Sequence, residues 1–157
     1  DIGEFRTFLK LSSPLREEQD RLSLIEGVKN DLIDVIVSDH VPEDEESKRL
    51  PFAQAASGSI GIETLLPLAL ELYHNNSLPL DKIVKCLTIN PAKILKINKG
   101  TLKKNADADI CVLDLEKPWI VKAVDLKSKS KNTAIENRKL QGKVIMTFLN
   151  GELVYSN

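Results

Sequence analysis

The run Leu32-Ile33-Asp34-Val35-Ile36-Val37-Ser38 constrains the fold more than any other stretch of this chain. It is short, β-branched and nearly free of polar alternation. That is the pattern of a strand covered on both faces, as in a parallel sheet with helices packed against it. The run stops at Asp39-His40. Downstream, Leu65, Leu66, Ala69, Leu72 and Tyr73 fall on one helical face starting near Ile62, with Pro67 expected to bend that helix. A second helix is predicted over 80–88 with Ile83, Val84 and Leu87 on its apolar stripe. A third is predicted to begin at Asn90-Pro91, an N-cap followed by proline at the first helical position. Upstream, Ser12-Ser13-Pro14 signals a turn, and Leu15, Leu22 and Ile25 predict a helix over about 14–28.

Near residue 100 the chain changes character. Gly100 ends the helical region, 109–114 reads as a strand, and 144–149 is joined to 152–155 through Asn150-Gly151, the signal for a type I′ hairpin. The 157 residues suit one ordinary domain but fall well short of the roughly 250 of a complete eight-stranded β/α barrel. With 22 Lys+Arg against 23 Asp+Glu there is no global positive field, so neither nucleic acid nor anionic lipid is an expected partner. No apolar stretch approaches the ~20 residues of a membrane span. Cys86 and Cys111 both sit in apolar patterns without a CxxC spacing, which predicts buried hydrophobes in a reducing compartment, the cytoplasm.

Few residues could carry chemistry. Asp39 sits where a strand of a parallel sheet would end, the place where catalytic groups gather, although an aspartate there also serves as a cap or turn former. His40 could be a ligand, an acid or base, or a packed ring donating to a backbone carbonyl; His74, in a polar helix end, reads as a surface histidine that complements the helix dipole. Two histidines and two cysteines in apolar contexts cannot supply the three protein ligands of a catalytic zinc. GxSxG, P-loop and GxGxxG motifs are all missing; Gly58 and Gly61 instead suggest backbone passing close to a loop or ligand. The charged stretch 41–51 reads as a surface loop, and Lys127-Ser128-Lys129-Ser130-Lys131 as a solvated one.

The order of several short motifs resembles the C-terminal part of the dihydroorotases of the amidohydrolase superfamily. They are Ser13-Pro14-Leu15-Arg16, Ser38-Asp39-His40-Val41-Pro42, Leu50-Pro51-Phe52, Gly58-Ser59-Ile60-Gly61, Asn90-Pro91-Ala92, Ala108-Asp109-Ile110, Trp119, Ser130-Lys131-Asn132-Thr133 and Gln141-Gly142-Lys143-Val144. The Asn-Pro-Ala and Ala-Asp elements are shared by many cyclic amidohydrolases, whereas the Pro-Leu-Arg, Ser-Lys-Asn-Thr and Trp combination points to dihydroorotase. The resemblance implies an α/β fold: residues 1–100 as the C-terminal part of a metal-dependent hydrolase TIM (β/α)₈ barrel, and 101–157 as strands of a small composite β-sandwich domain. It implies that this is the C-terminal portion of a longer, zinc-dependent enzyme that interconverts N-carbamoyl-L-aspartate and dihydroorotate in pyrimidine biosynthesis. The other zinc ligands would lie outside the chain, and a homo-oligomer is implied. Alone, the segment would be marginally stable and inactive, with open sheet edges.

The implied site residues are Asp39, touching zinc and moving the proton, and Ser12, Glu43, Ser57 and Gly58 around the substrate. Two positions depart from the family pattern. Ser12 stands where a substrate-binding asparagine is usual, and Glu43 stands where the family reads Asp-His-Ala-Pro-His with a histidine that holds the substrate carboxylate. A glutamate there would repel that carboxylate by roughly 4 kcal/mol at 4 Å and an effective dielectric near 20, unless it turns away or Lys48 or Arg49 supplies the missing charge. These departures motivate two alternatives. One is a non-catalytic dihydroorotase-like partner of aspartate carbamoyltransferase; the other is a cyclic amidohydrolase of hydantoinase or allantoinase type.

Overall fold

The computed structural model describes residues 3–157, and their contacts divide into two units. One comprises Leu22–Val37, Leu66–Trp119 and Leu140–Asn157; the other comprises the residues up to Arg21, Ser38–Leu65 and Ile120–Lys139. No helix among the described residues is long and apolar enough to cross a membrane.

The first unit is built on helices α1 (Glu18–Lys29), α3 (Leu65–His74), α4 (Leu80–Leu87) and α5 (Ile89–Ile94), while the short α2 (Glu45–Lys48) lies in the second unit. Ile25 and Val28 of α1, Ala69 of α3, Leu78, and Ile83 and Cys86 of α4 form one buried cluster, with Ile33, Ile36, Leu72 and Tyr73 packed against it. Helix α1 starts later than its apolar spacing predicts, because Pro14-Leu15-Arg16 stays outside it and the Asp20 carboxylate accepts from the Glu17 N–H at 3.2 Å. Pro67 does not disrupt α3. The helix begins at Leu65, so the proline sits in the first turn, where its missing N–H would have no helical partner anyway. Asn90 does not cap α5 either. It lies inside that helix, its amide donates to the Asp34 carbonyl at 2.9 Å, and Thr88 holds the capping position without a side-chain bond.

The predicted strand at 32–38 forms no ladder, with a bend at Leu32 and no regular structure over 33–38. A strand needs neighbours to exchange hydrogen bonds with, and among the described residues Ile36 N–H reaches only the Cys86 carbonyl, at 3.3 Å; a lone parallel bridge joins His40 to Ser59. The sheet lies elsewhere, in the order β1 (Ile110–Ile120), β2 (Lys139–Leu149), β3 (Glu152–Ser156). β1 runs past the predicted 114 and through Pro118, which an edge strand tolerates because one side of its backbone has no ladder to complete. β2 and β3 pair antiparallel, with Leu149 opposite Glu152 and a register shift between Thr147 and Phe148. Asn150 and Gly151 both take positive φ, 51° and 84°, as the predicted hairpin turn requires.

Cys86 is buried as expected, and burial pushes its thiol pKa up, whereas Cys111 is exposed on β1, its Sγ 3.9 Å from Thr147 Oγ1 of β2. His74 ends α3 as predicted but is not a surface residue; its Nε2 is buried without a partner among the described residues. The hairpin is anchored by Asp109, whose carboxylate accepts from the Asn150 N–H at 2.9 Å and from Lys99 Nζ at 2.6 Å, while Lys99 also reaches Asp107 at 2.7 Å.

Two outcomes follow from this packing. Ile83 has no exposure, so Ile83→Ala should lower stability by about 2–5 kcal/mol in denaturant titration, through lost transfer energy plus a cavity. The Asn150 N–H and then the Lys99 ammonium hold the Asp109 pKa below the usual carboxylate range. Its contribution is therefore complete above that range and fades as pH falls through the lowered value. Protection of the Asn150 amide, measured against its intrinsic exchange rate at each pH, should fall over that acid interval, and Asp109→Asn should weaken the pH dependence.

Candidate functional site

The residues implied to act together all belong to the loop-rich second unit, and backbone bonding explains how they are brought there. His40 and Ser59 form the parallel bridge, and Val41 N–H donates to the Ser59 carbonyl at 2.9 Å. His40 Nδ1 accepts the Gly61 N–H at 3.0 Å and the Ile62 N–H at 3.4 Å, which puts the proton of the neutral ring on Nε2. The ring is bonded to backbone, but as an acceptor from two N–H groups and not, as expected of a packed ring, as a donor to a carbonyl. Asp39 and Gly58 thus stand side by side, one residue before the bridge. Asp39 is exposed in the left-handed region, φ 42°, which aspartate tolerates better than most residues, and no described residue pairs with its carboxylate.

Gly58 is buried at φ 141°, and a Cβ there would lie 2.6 Å from Val41 Cγ1 and 3.0 Å from the Val41 carbonyl; at Gly61 a Cβ would lie 2.6 Å from the Ser38 carbonyl. The glycine pair therefore lets two segments touch, the first of the two purposes read from its spacing. Both polar groups of the Gly58 backbone are engaged within the protein. Its N–H donates to the Lys10 carbonyl at 2.9 Å, and its carbonyl accepts from Lys48 Nζ at 3.0 Å and from Asn132 Nδ2 at 3.3 Å. Ser57 and Ser12 are exposed, the latter two residues beyond Lys10.

Around Glu43 the structure departs from the predicted surface loop. Asp44 caps α2 by accepting the Glu46 N–H at 2.8 Å, and Lys48, in the last turn of α2, has no exposure at all. Its Nζ donates to the carbonyls of Lys10, Ala56 and Gly58 at 2.9, 3.0 and 3.0 Å. Burial pushes the Lys48 pKa down, the Glu43 carboxylate pulls it back up, and the Lys10 ammonium adds to the fall. Glu43 is half-buried and its carbonyl accepts from Ser130 Oγ. Arg49 is spent on Glu45, 2.6 Å away, and on Glu46.

The basic run is not a simple solvated loop. Lys127 and Ser128 donate their N–H groups to the Glu63 carboxylate at 2.9 and 3.1 Å, and Lys131 Nζ donates to the Leu126 carbonyl at 2.7 Å. Asn132, fully buried, donates to the Val41 carbonyl at 3.1 Å as well as to Gly58. Asn132 is the site residue that sequence reasoning missed, and Lys48, weighed only as a charge for a substrate, is bound to backbone carbonyls instead. A buried lysine on α2 leaves no hydrophobic pattern, and the only available signal was the recurrence of Asn132 within the Ser-Lys-Asn-Thr motif.

Among the described residues no three His, Cys, Asp or Glu side chains come together to hold a metal. With the His40 Nδ1 engaged by backbone, Asp39 is one free carboxylate where a catalytic zinc takes three protein ligands, so these residues do not by themselves fit the metal.

Gly58→Ala should displace the 57–61 segment from 39–43 and destabilise the protein by about 1–3 kcal/mol, from overpacking and a strained φ. Adding Val41→Ala should recover part of that loss in a double-mutant cycle, since the carbonyl contact and the φ persist.

Comparison with known proteins agrees with this layout. The family description "Amidohydrolase family" matches residues 10–154. A dihydroorotase of Ehrlichia chaffeensis is 46% identical over 155 residues, covering 99% of this chain and 35% of that protein. The dihydroorotase of Aquifex aeolicus is 43% identical over 148 residues, covering 94% and 35%. This chain thus spans about a third of the length of the curated relatives it matches. Among solved structures, the L-hydantoinase (dihydropyrimidinase) of Arthrobacter aurescens superposes with a TM-score of 0.87 at 31% identity, covering 96% of this chain and 35% of that one. The dihydropyrimidinase of Brevibacillus agri gives a TM-score of 0.88 at 24% identity, covering 96% and 34%, and shares the fold. By its sequence match from residue 10 to residue 154, the chain belongs to the amidohydrolase family.

Proposed function

We propose that the protein carrying this sequence is a dihydroorotase, which opens the ring amide of dihydroorotate to N-carbamoyl-L-aspartate and also runs the reverse cyclisation, in pyrimidine biosynthesis. The observation that carries this reading is the likeness, across nearly the whole chain, to bacterial proteins named dihydroorotase. In this reading residues 1–100 are the last part of a (β/α)₈ barrel and 101–157 are strands of a composite β-domain. The enzyme is cytoplasmic and homo-oligomeric.

Asp39 carries the chemistry. Its exposed carboxylate takes a proton from the attacking water as the water oxygen bonds to the ring amide carbon, and returns that proton to the ring nitrogen as the C–N bond breaks. Ser57 and Ser12, both exposed, bind the ring, and Gly58 supplies close approach rather than a hydrogen bond. Glu43 has its negative charge partly offset by the Lys48 ammonium, which lessens the repulsion of a substrate carboxylate. Zinc belongs to the whole enzyme, and from this chain Asp39 would be its ligand.

The test is turnover of dihydroorotate by the metal-loaded full-length protein. Asp39→Asn should lower kcat by about 10²–10⁴-fold, the range for losing a general acid–base, with the melting temperature held. Absence of turnover in folded, metal-loaded wild type would overturn the enzyme reading in favour of a structural partner of aspartate carbamoyltransferase. A preference for hydantoin, allantoin or dihydrouracil would move the substrate to a hydantoinase-type ring.

A further inference from the structure

We propose that Lys48 is a positioning residue: by gathering the carbonyls of Lys10, Ala56 and Gly58 at one ammonium, it turns the intervening Ser57 peptide outward beside Asp39. The carbonyls on either side of Ser57 are drawn to the same Nζ, at 3.0 Å each, and Ala56 N–H is held by the Ser47 carbonyl at 3.1 Å. With residues 56 and 58 both tied inward, Ser57 is the point at which this turn faces solvent. Among the described residues no hydrogen bond engages its N–H or carbonyl.

Burying an ammonium is costly, and the cost is offset here because it satisfies three carbonyl oxygens that an apolar side chain would leave unpaired. An apolar side chain cannot bind three carbonyls at once, whereas an ammonium has three N–H donors and no acceptor. The neighbouring Lys10 repeats the arrangement, its Nζ donating to the carbonyls of Phe52, Ala53 and Ala55 at 2.8, 3.1 and 2.7 Å. Two lysines thus fix the carbonyls of residues 52, 53, 55, 56 and 58 and leave those of Gln54 and Ser57 out. Asn132 secures Gly58 from a second direction, so the constraint falls on the turn rather than on the unit as a whole.

The kinetic part of this inference rests on the dihydroorotase reading; the structural part does not. In the full-length protein, Lys48→Met should raise amide exchange at Gly58 by about tenfold, confined to residues 56–59, as expected for local opening. The KM for dihydroorotate should rise by about tenfold with kcat within about threefold, the signature of lost binding rather than lost chemistry. Lys48→Arg keeps the charge but presents a planar donor set, and should show a smaller change in the same direction. It is also the variant to read if Lys48→Met does not fold. Lys85→Met, on the exposed face of α4, is the control. Unchanged exchange at Gly58, exchange raised evenly along the chain, or a fall in kcat at constant KM would each overturn the proposal. If wild type does not turn over dihydroorotate, the functional reading fails and the exchange measurement alone decides the role of Lys48.

Discussion

Three backbone carbonyls from distant parts of the chain meet at Lys48 Nζ, and the loop-rich unit takes its form from that convergence. Lys10, Ala56 and Gly58 would otherwise present unpaired oxygens to each other. An ammonium suits this position because it has three donors and can satisfy three acceptors, where a neutral amide would leave one unpaired and a hydroxyl two. Asn132 completes the network by tying Gly58 to Val41, and the Glu63 carboxylate receives the N–H groups of Lys127 and Ser128. Hydrogen bonds to buried polar groups, more than hydrophobic burial, therefore organise the surroundings of Asp39.

The helix-and-sheet unit rests on different physics. Its cluster of Ile25, Val28, Ala69, Leu78, Ile83 and Cys86 is apolar, and its helices follow the spacing of those residues. Charged pairs such as Lys85–Asp81 lie at exposed helix positions, where they contribute little. An apolar core tolerates exchange of one aliphatic residue for another of similar volume, whereas a network of buried donors and acceptors does not. Substitutions near Asp39 should accordingly be felt through geometry more than through packing.

Much of this was legible in the sequence. The helices at 65–74 and 80–87 and the Asn150-Gly151 hairpin follow from local spacing and turn chemistry, which a short window of residues contains. Asp39 was singled out by its place after an apolar run, and the glycine pair by its spacing. Sequence reasoning failed where an outcome depended on residues far apart. The run at 32–38 has strand composition but no ladder, because pairing is a property of two segments. Lys48 was weighed only as a charge for a substrate, since nothing local distinguishes a buried lysine from a solvated one. Lys131 and Asn132 looked like part of a polar loop until their partners at 126, 41 and 58 were in place.

By itself the sequence determined the family, the helical core pattern and the hairpin turn, because each is written in contiguous residues or in the order of short motifs. Only the tertiary structure decided that Lys48 is buried on three carbonyls, that both polar groups of the Gly58 backbone are already satisfied, and that Ser57 is left facing outward. These depend on which donors meet which acceptors across intervals of 8 to 91 residues. No local propensity encodes such a meeting, since the free energy of a buried hydrogen bond is set by its partner and not by the residue that carries it.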